Sequence, residues 1–406
     1  MQAVAPVPEC SGTAGGATLA LAFGFEFADL YRQEGLEAID RAFLDFAGAA
    51  DAALRDRLVA ARASPEALPA KDESELILDL APHLERFVAV LFGIVDEVAV
   101  SKHRHDEQAP LFAVKRQFVQ RRTARIGPDE ARGLDGPALE RELRHVFGGR
   151  FDELTYASHV ERWLQDEPRY ASELDLALRY AAWALHSQAG REHTRRGVLF
   201  KTPAKLDPQN LIEHVERIAV QGATAYRIDA PHLRRREGFQ LTDPGTTLVH
   251  ALDQANYCIE CHKQGKDSCS KGLREKASAA ARDPIAFRKS ALGATLAGCP
   301  LEEKISEFQS VKARGYAIGA LAVICIDNPM CAATGHRICN DCMKACIYQK
   351  QDPVDTPQIE TRTLRDVLAL PWGFEIYSLL TRWNPLNLRQ PLPRPASGKR
   401  ALVVGM

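Results

Sequence analysis

The cysteines of this chain are gathered in one short region, and this distribution limits the possible folds and chemistries more than any other feature. Nine of the ten cysteines lie between Cys258 and Cys346, and only Cys10 lies outside. In a reducing cytosol, thiols gathered in this way are more often metal ligands or redox catalysts than disulfides. The sequence therefore predicts a cysteine-poor first part and a cysteine-rich second part.

The first part is predicted to be helical. From Phe27 to about Arg236, apolar residues recur at spacings of three and four, as in Phe87, Val88 and Leu91. The same pattern continues in a later set: Leu211, Ile212, Val215, Ile218 and Ala219. Strand-like alternation is scarce throughout. We expect a helical domain over residues 1–240, whose role the pattern does not reveal, within a mainly α protein.

Composition and charge exclude several function classes. Hydrophobic residues make up 46% of the chain, which is ordinary for a globular protein, and the net charge of -1 provides no global field for nucleic acid or anionic membranes. The longest apolar run, Tyr316 to Ile326, is well short of the roughly 20 residues of a spanning helix. The N-terminus does not resemble a signal peptide. We expect a cytoplasmic protein with no membrane span and no nucleic-acid partner.

Two cysteine motifs stand out in the second part. Cys258 and Cys261 form a Cys-x2-Cys step that is followed by Cys269, and a second group comprises Cys339, Cys342 and Cys346. A Cys-x2-Cys turn brings two thiolates to one side and leaves backbone N–H groups free to donate to sulfur, which suits iron–sulfur clusters and zinc alike.

The spacing separates these possibilities. A compact zinc module expects its second Cys-x2-Cys after about 15–20 residues, whereas 77 residues lie between Cys261 and Cys339. Between the two groups, Cys299-Pro300 matches the Cys-Pro pairs of two-cluster ferredoxins. The alternative is a zinc-stabilised helical interaction protein without redox activity. A thiol–disulfide catalyst would need a thioredoxin-like setting, which the surrounding pattern lacks.

The C-terminal residues indicate the start of another domain. Residues 371–398 are predicted to be a proline-rich linker because four prolines fall between Asn384 and Gly398. Residues 399–406 then form an apolar strand that runs into Gly405, as at the opening of a dinucleotide-binding unit. We expect this strand to begin a truncated FAD-binding domain, with Gly405 as a cofactor-binding residue.

These residues resemble a known family. Asn256-Tyr257-Cys258-x2-Cys261, Gly298-Cys299-Pro300-Leu301 and Cys339-x2-Cys342-x3-Cys346 are similar to the N-terminal iron–sulfur domain of the glutamate synthase small subunit, which dihydropyrimidine dehydrogenase also carries. The resemblance covers roughly residues 250–406. It implies an α-helical ferredoxin-like domain over residues 241–370 with two [4Fe-4S] clusters.

The resemblance also implies a function and its partners. Such a module relays electrons between FAD, reduced by NAD(P)H, and a redox partner protein or domain. FAD and NAD(P)H would bind only in C-terminal domains beyond this sequence, so the flavin domain of the full-length chain would be one partner. We expect the chain alone to be a non-catalytic fragment that does not oxidise NAD(P)H.

By similarity, one cluster would be bound by Cys258, Cys261, Cys269 and Cys346. The other would take three ligands from Cys299, Cys339 and Cys342, and its fourth ligand stays open between Cys331, Gln358 and Glu360. Twenty-nine residues separate Cys269 from Cys299 where the family has only a few, which implies an inserted helical excursion. Cys325 lies in an apolar run and is interpreted as a small buried hydrophobe.

Overall fold

The computed structural model is mainly helical, as the sequence predicts. It describes residues 20–209, 215–228, 230, 233, 237–239, 244–265, 267–275, 286–335, 338–393, 397–400, 402 and 404. The α-helices are α1 (Gln33–Ala50), α2 (Ala52–Ala63), α3 (Ala70–Leu91), α4 (Val95–Asp106), α5 (Ala109–Val114), α6 (Arg121–Thr123), α7 (Pro128–Arg132), α8 (Gly136–Val146), α9 (Glu153–Trp163), α10 (Ala171–His186), α11 (Gln188–His193), α12 (Leu248–Tyr257), α13 (Ser268–Lys271), α14 (Ile305–Ala313), α15 (Ala317–Asp327), α16 (Cys331–Thr334), α17 (Asp341–Ala345), α18 (Thr356–Leu368) and α19 (Gly373–Leu380). A π-helical turn (Lys115–Gln120) joins α5 to α6, 3-10 turns occupy Ala22–Gly24, Phe27–Tyr31, Pro65–Ala67 and Cys261–Gln264, and the strands are β1 (Val215–Val220) and β2 (Ala223–Ile228).

The first hydrophobic core joins the two ends of the chain. Helices α1 to α3 pack with α14, α15, α18 and α19 around one set of buried side chains. The apolar run from Tyr316 to Ile326 forms most of α15, and the residues of this helix from Ala317 to Cys325 are all buried. Gly319 permits close packing here, because a Cβ at this position would lie only 2.9 Å from the carbonyl oxygen of Ala81 on α3.

A buried carboxylate holds the N-terminus of α15. Oε2 of Glu85, on α3, accepts hydrogen bonds from the backbone N–H groups of Ile318 (2.9 Å) and Gly319 (3.2 Å). These N–H groups have no partner within the helix, and the helix dipole favours negative charge at this end. Glu85 therefore fixes the first turn of α15 against α3.

A second core lies in the middle of the chain. It is formed mainly by α5, the π-helical turn, α8, α9, α10 and residues 198–200, with Leu252 of α12 packed against them. Glu153 anchors the end of this unit, since its Oε2 accepts from the N–H groups of Val198 (2.7 Å) and Leu199 (3.1 Å). Because α12 contributes to this core and also contacts α14 and α18, it connects the two units.

The predicted helical pattern is wrong at Val215, Ile218 and Ala219. These residues lie in β1, which pairs antiparallel with β2 in a two-stranded hairpin whose register places Val215 opposite Ile228. The turn residues Gln221 and Gly222 both have positive φ (50° and 82°), which matches the right-handed twist of the paired strands. A two-residue turn with glycine between β-branched segments is the signal that helical periodicity obscured. Leu211 and Ile212 lie outside the described residues.

The structure also differs from three other predictions, which concern the segment between Cys269 and Cys299, the domain boundary at residue 240 and the linker over residues 371–398. The described part of the segment between Cys269 and Cys299 is largely extended, with isolated bridges that pair Arg274 with Phe287 and Lys289 with Thr295, so the expected helical excursion is wrong there. The packing also crosses the boundary predicted at residue 240, because α1 to α3 share a core with α14 and α15. Within residues 371–398, the predicted linker, the structure has α19 (Gly373–Leu380) and the buried side chains of Trp383 and Leu386, which belong to the first core. The other predicted boundaries stay predictions.

Within the described residues, no helix combines the length and the apolar character needed to cross a membrane.

The environment of Glu85 predicts a pH dependence of stability. Burial raises the pKa of this carboxyl from 4.5 to about 7, so between these values the folded chain retains a proton that the unfolded chain releases. The free energy of unfolding should therefore fall as pH rises through this window. The difference between the two pKa values corresponds to a loss of at most about 3 kcal/mol in the free energy of unfolding.

Glu85→Gln keeps an acceptor for the two N–H groups and removes the ionisation. Relative to the wild type, this variant should gain stability between about pH 5 and about pH 8, measured by urea unfolding followed by circular dichroism. Glu97→Gln, at an exposed position in the first turn of α4, is the matched control and should show no such change. Parallel pH profiles for the wild type and Glu85→Gln would contradict the prediction.

Candidate metal centre

The first Cys-x2-Cys turn begins where α12 ends. Cys258 is the residue after the last helical residue, Tyr257, and Glu260 adopts a left-handed conformation (φ 52°) that closes the turn. The N–H of Glu260 donates to Sγ of Cys258 at 3.4 Å. The turn therefore has the N–H-to-sulfur arrangement that the sequence predicts for a thiolate ligand.

The structure brings Cys258, Cys261, Cys269 and Cys346 into one neighbourhood. Burial, together with the charges of Cys261 and Cys346, raises the pKa of Cys258 to about 12. Burial likewise raises the pKa of Cys261 to about 11 and that of Cys269 well above its usual value, with Cys346 contributing to both. These are the four residues that the resemblance assigns to one cluster, and we call them the first cysteine group.

Direct contacts hold the segments of the first cysteine group together. The rings of Tyr257 and Tyr348 stack with centroids 4.4 Å apart at 7°, and the Tyr348 hydroxyl donates to the carbonyl of Tyr257 (3.2 Å). These contacts join the residue before Cys258 to the segment after Cys346. On α14, Oγ of the buried Ser306 accepts from the N–H of His262 (3.2 Å) and so anchors the turn that follows Cys261.

A second neighbourhood contains Cys299, Cys339 and Cys342 together with Glu360, and we call these residues the second cysteine group. The pKa of Cys342 is raised by burial and by the charges of Cys299, Glu360 and Cys339. The pKa of Cys299 is raised to about 11, first by burial, although N–H groups of Glu303 and Leu301 donate to its sulfur and oppose the rise. The resemblance assigns the three cysteines to the other cluster.

The two groups are adjacent. The N–H of Cys299 donates to the carbonyl of Cys269 at 2.9 Å. Gly298 has φ +83°, and a Cβ there would lie 2.4 Å from the backbone nitrogen of Gly272, so only glycine permits this approach. Cys342 lies on α17 and Cys346 directly follows it, so one short helix contributes to both groups.

The three candidates for the fourth ligand have different surroundings. Cys325 donates a hydrogen bond to the thiol of Cys331, which also contacts the Tyr377 hydroxyl. Oε1 of Gln358 is buried without a hydrogen-bond partner among the described residues, and the side chain lines a cavity with Cys339. Glu360 lies close enough to Cys299 and Cys342 that its charge raises the pKa of both.

Sequence reasoning missed several residues around these groups. Glu303 is buried, and its carboxyl shares a hydrogen bond with Glu360. Burial and the charge of Glu360 raise the pKa of Glu303 to about 9, whereas burial and the charge of Cys331 raise that of Glu360 to about 7. Asp267 accepts a hydrogen bond from Sγ of Cys269 at 3.1 Å. Proximity in sequence could have indicated both, because Asp267 precedes Cys269 by two positions and Glu303 follows Cys299 by four.

Unpartnered polar atoms also border the first cysteine group. Nε2 of His262 and Oγ of Ser268 are buried and have no hydrogen-bond partner among the described residues. They directly neighbour Cys261 and Cys269 in sequence. A sulfide-containing cluster would offer acceptors to such donors, so this part of the chain fits the group that the resemblance implies.

No group of three or more His, Cys, Asp or Glu side chains in the described part of the chain is arranged to hold a metal ion. The sulfur atoms that bind a [4Fe-4S] cluster lie farther apart than those that bind a single zinc ion, because each thiolate binds a different iron atom. Cys325 is buried, in line with its interpretation as a small hydrophobe. Gly405 and Cys10 lie outside the described residues.

The fold and the cysteine groups define a mainly helical protein with seven thiols gathered in two adjacent sets. The chain belongs to the family of the uncharacterized protein RP005 of Rickettsia prowazekii (strain Madrid E). The two are 32% identical over 308 residues, which cover 72% of this chain and 98% of that relative. Residues 21–93 match the family model of the RP005 N-terminal alpha-helical domain, which contains α1 to α3.

A second relative matches over a shorter stretch. The uncharacterized protein RP006 of the same organism is 64% identical over 77 residues, which are 19% of this chain and 11% of that protein. No solved structure matches the chain.

Exposure predicts an order of reactivity for the thiols. Cys339 is exposed whereas Cys261, Cys342 and Cys346 are buried. Cys269 is partly buried, and burial raises its pKa well above the usual value, which leaves little reactive thiolate. In metal-free protein, iodoacetamide should therefore modify Cys339 first and Cys269 among the last. Mass spectrometry of timed samples measures the order, with urea-unfolded protein as the control. Equal rates at Cys339 and Cys269 in the folded chain would refute it.

Proposed function

We propose that this chain is an iron–sulfur electron-transfer module of a flavin- and NAD(P)H-dependent oxidoreductase. In this proposal it relays electrons between FAD and a redox partner through two [4Fe-4S] clusters, and the flavin domain is its immediate partner. It works in the cytoplasm, where thiols stay reduced, and requires no nucleic acid.

One observation carries the proposal. The seven cysteines come from separate chain segments and divide into groups of four and three, with Glu360 beside the three. This division matches the ligand sets implied by the motif resemblance. Without a metal, the raised pKa values of Cys258, Cys261 and Cys299 keep these thiols protonated at neutral pH. A positively charged centre would deprotonate them outright and bind them as thiolates.

The chain's own residues would hold and tune the two centres. Cys258, Cys261, Cys269 and Cys346 would hold the first, and Cys299, Cys339 and Cys342 the second. Backbone N–H groups donate to Cys258 and Cys299 and would stabilise negative charge on these sulfurs, which raises the reduction potential. When bound, such clusters take up and release single electrons. The hydrogen bond from Cys299 to Cys269 keeps the two ligand sets adjacent, which suits a relay.

Within this proposal we assign Glu360 as the fourth ligand of the second centre. The charge of Glu360 acts on both Cys299 and Cys342, whereas the Cys331 thiol is paired with Cys325 and the Tyr377 hydroxyl, which lie outside the second cysteine group. Asn328 Nδ2 donates to Oε1 of Glu360 at 3.1 Å and orients the carboxylate. Gln358, which lines the cavity with Cys339, is the competing assignment.

Metal analysis tests the proposal and separates it from the zinc-stabilised alternative. Protein purified without oxygen should be brown, absorb broadly near about 400 nm and contain about eight irons per chain. Cys346→Ser should remove about half of the iron and the matching spin signals of the reduced sample. Cys325→Ala, which replaces a buried thiol outside both groups, is the control and should keep both. A colourless protein with stoichiometric zinc would establish the alternative instead.

The fourth-ligand assignment has its own test. Glu360→Ala should lower the iron content and change the spin signal of one cluster, because one iron of the second centre loses its protein ligand. Gln358→Ala should leave both readouts as in the wild type, and circular dichroism checks that both variants fold. The reverse pattern would assign the ligand to Gln358.

A further inference from the structure

A cavity of about 660 Å³ lies where the second core meets α12, beside the first cysteine group. Its walls come from α5 and the π-helical turn, the segment 201–203, the end of α12 and the residues from Tyr348 to Asp352. This volume falls within the range of about 300–1,000 Å³ typical of ligand pockets. The cavity is therefore large enough for a small organic ligand.

Basic side chains without partners face this cavity. Lys115 is paired with Asp253 (2.5 Å), and Asp352 accepts from the N–H of Ala204 (2.8 Å). Arg116 and Lys201 also line the cavity, and neither has an ion pair or side-chain hydrogen bond within the described residues. The cavity thus offers two cations that form no direct ion pair with a carboxylate of the described residues, although Asp253 and Asp352 also line it.

The surroundings of Lys201 disfavour the charged form of its amine, and a bound anion would favour it. Burial lowers the pKa of its amine; Glu153 and Asp253 oppose this shift, whereas the neighbouring charge of Lys115 adds to it. An anion bound beside the partly buried Lys201 would stabilise the charged form of its amine. A phosphate group supplies this charge together with oxygens that accept from arginine and lysine.

The remaining walls suit a planar ring. The stacked pair Tyr257 and Tyr348 lines the cavity, and Phe112, Pro203 and Ile259 add apolar surface. Aromatic walls with a few polar groups are typical of sites that bind planar heterocycles.

We infer that this cavity binds a phosphorylated planar heterocycle of mononucleotide size, with its phosphate at Arg116 and Lys201 and its ring toward the tyrosine pair. Flavin mononucleotide and adenosine monophosphate share this chemistry and serve as probes that distinguish the two sources. The binding inference rests on the cavity alone. Cys258 is also part of the wall, so under the proposed function a redox-active ligand here would sit against a ligand of the first centre.

Isothermal titration calorimetry on the full chain tests the inference. At least one of the two nucleotides should bind with one site per chain, and Lys201→Gln and Arg116→Gln should each weaken its binding by about tenfold or more. Lys205→Gln and Arg125→Gln are matched controls, because both are exposed basic residues close in sequence that do not line the cavity. They should bind as the wild type does. Riboflavin and inorganic phosphate, which each lack one half of the ligand, should bind at least about tenfold more weakly than the nucleotide.

Several results would overturn the inference. These are no binding of either nucleotide, binding insensitive to Lys201→Gln and Arg116→Gln, or inorganic phosphate binding as tightly as the nucleotides. Iron content is measured on the same samples. Normal iron without nucleotide binding would refute the cavity inference alone, whereas nucleotide binding without iron would refute the proposed function alone.

Discussion

The packing of the buried helix α15 against α3 is the interaction on which the rest of the structure depends. All residues of α15 from Ala317 to Cys325 are buried, and Glu85 on α3 satisfies the N–H groups of its first turn. An apolar helix of this kind is stable only when other helices cover every side. Here α3, α14 and α18 provide the cover, so the N-terminal helices are required to build the cysteine-rich part.

This arrangement determines where the cysteine groups can form. Helix α14 anchors the turn after Cys261 through Ser306, and α18 carries Glu360 to the second group. Helix α17 contributes Cys342 and leads directly into Cys346. Because both α14 and α18 pack on α15, loss of the α3–α15 contact would disturb both cysteine groups together. The residues that match the RP005 N-terminal alpha-helical domain, 21–93, include α3.

The second core has a different relation to the cysteines. It contributes no thiol to either group, but α12 packs on it through Leu252 and ends at Cys258. Ion pairing between Lys115 and Asp253 reinforces that junction, since both side chains are largely buried. The cavity with Arg116 and Lys201 lies at this junction. The middle of the chain therefore shapes the space beside the first cysteine group while the terminal regions position the thiols.

Local sequence pattern is sufficient to predict the mainly helical class, because amphipathic spacing and the apolar run of α15 depend only on the order of neighbouring residues. It also determined the Cys-x2-Cys turn at Cys258, which a few adjacent residues form. Local pattern misled at the hairpin from Val215 to Ile228, where short β-branched segments satisfy both helical and strand spacing. The motif resemblance grouped Cys346 with Cys258, but it left the fourth ligand of the second group open, and the tertiary structure is needed to place Glu360 beside Cys299 and Cys342. It also brings Lys201 and the tyrosine pair to one cavity. These neighbours are separated along the chain, and they meet because helices pack together to bury their apolar surfaces. A local sequence pattern shows which face of a helix is apolar, but it does not show which other helix will cover that face.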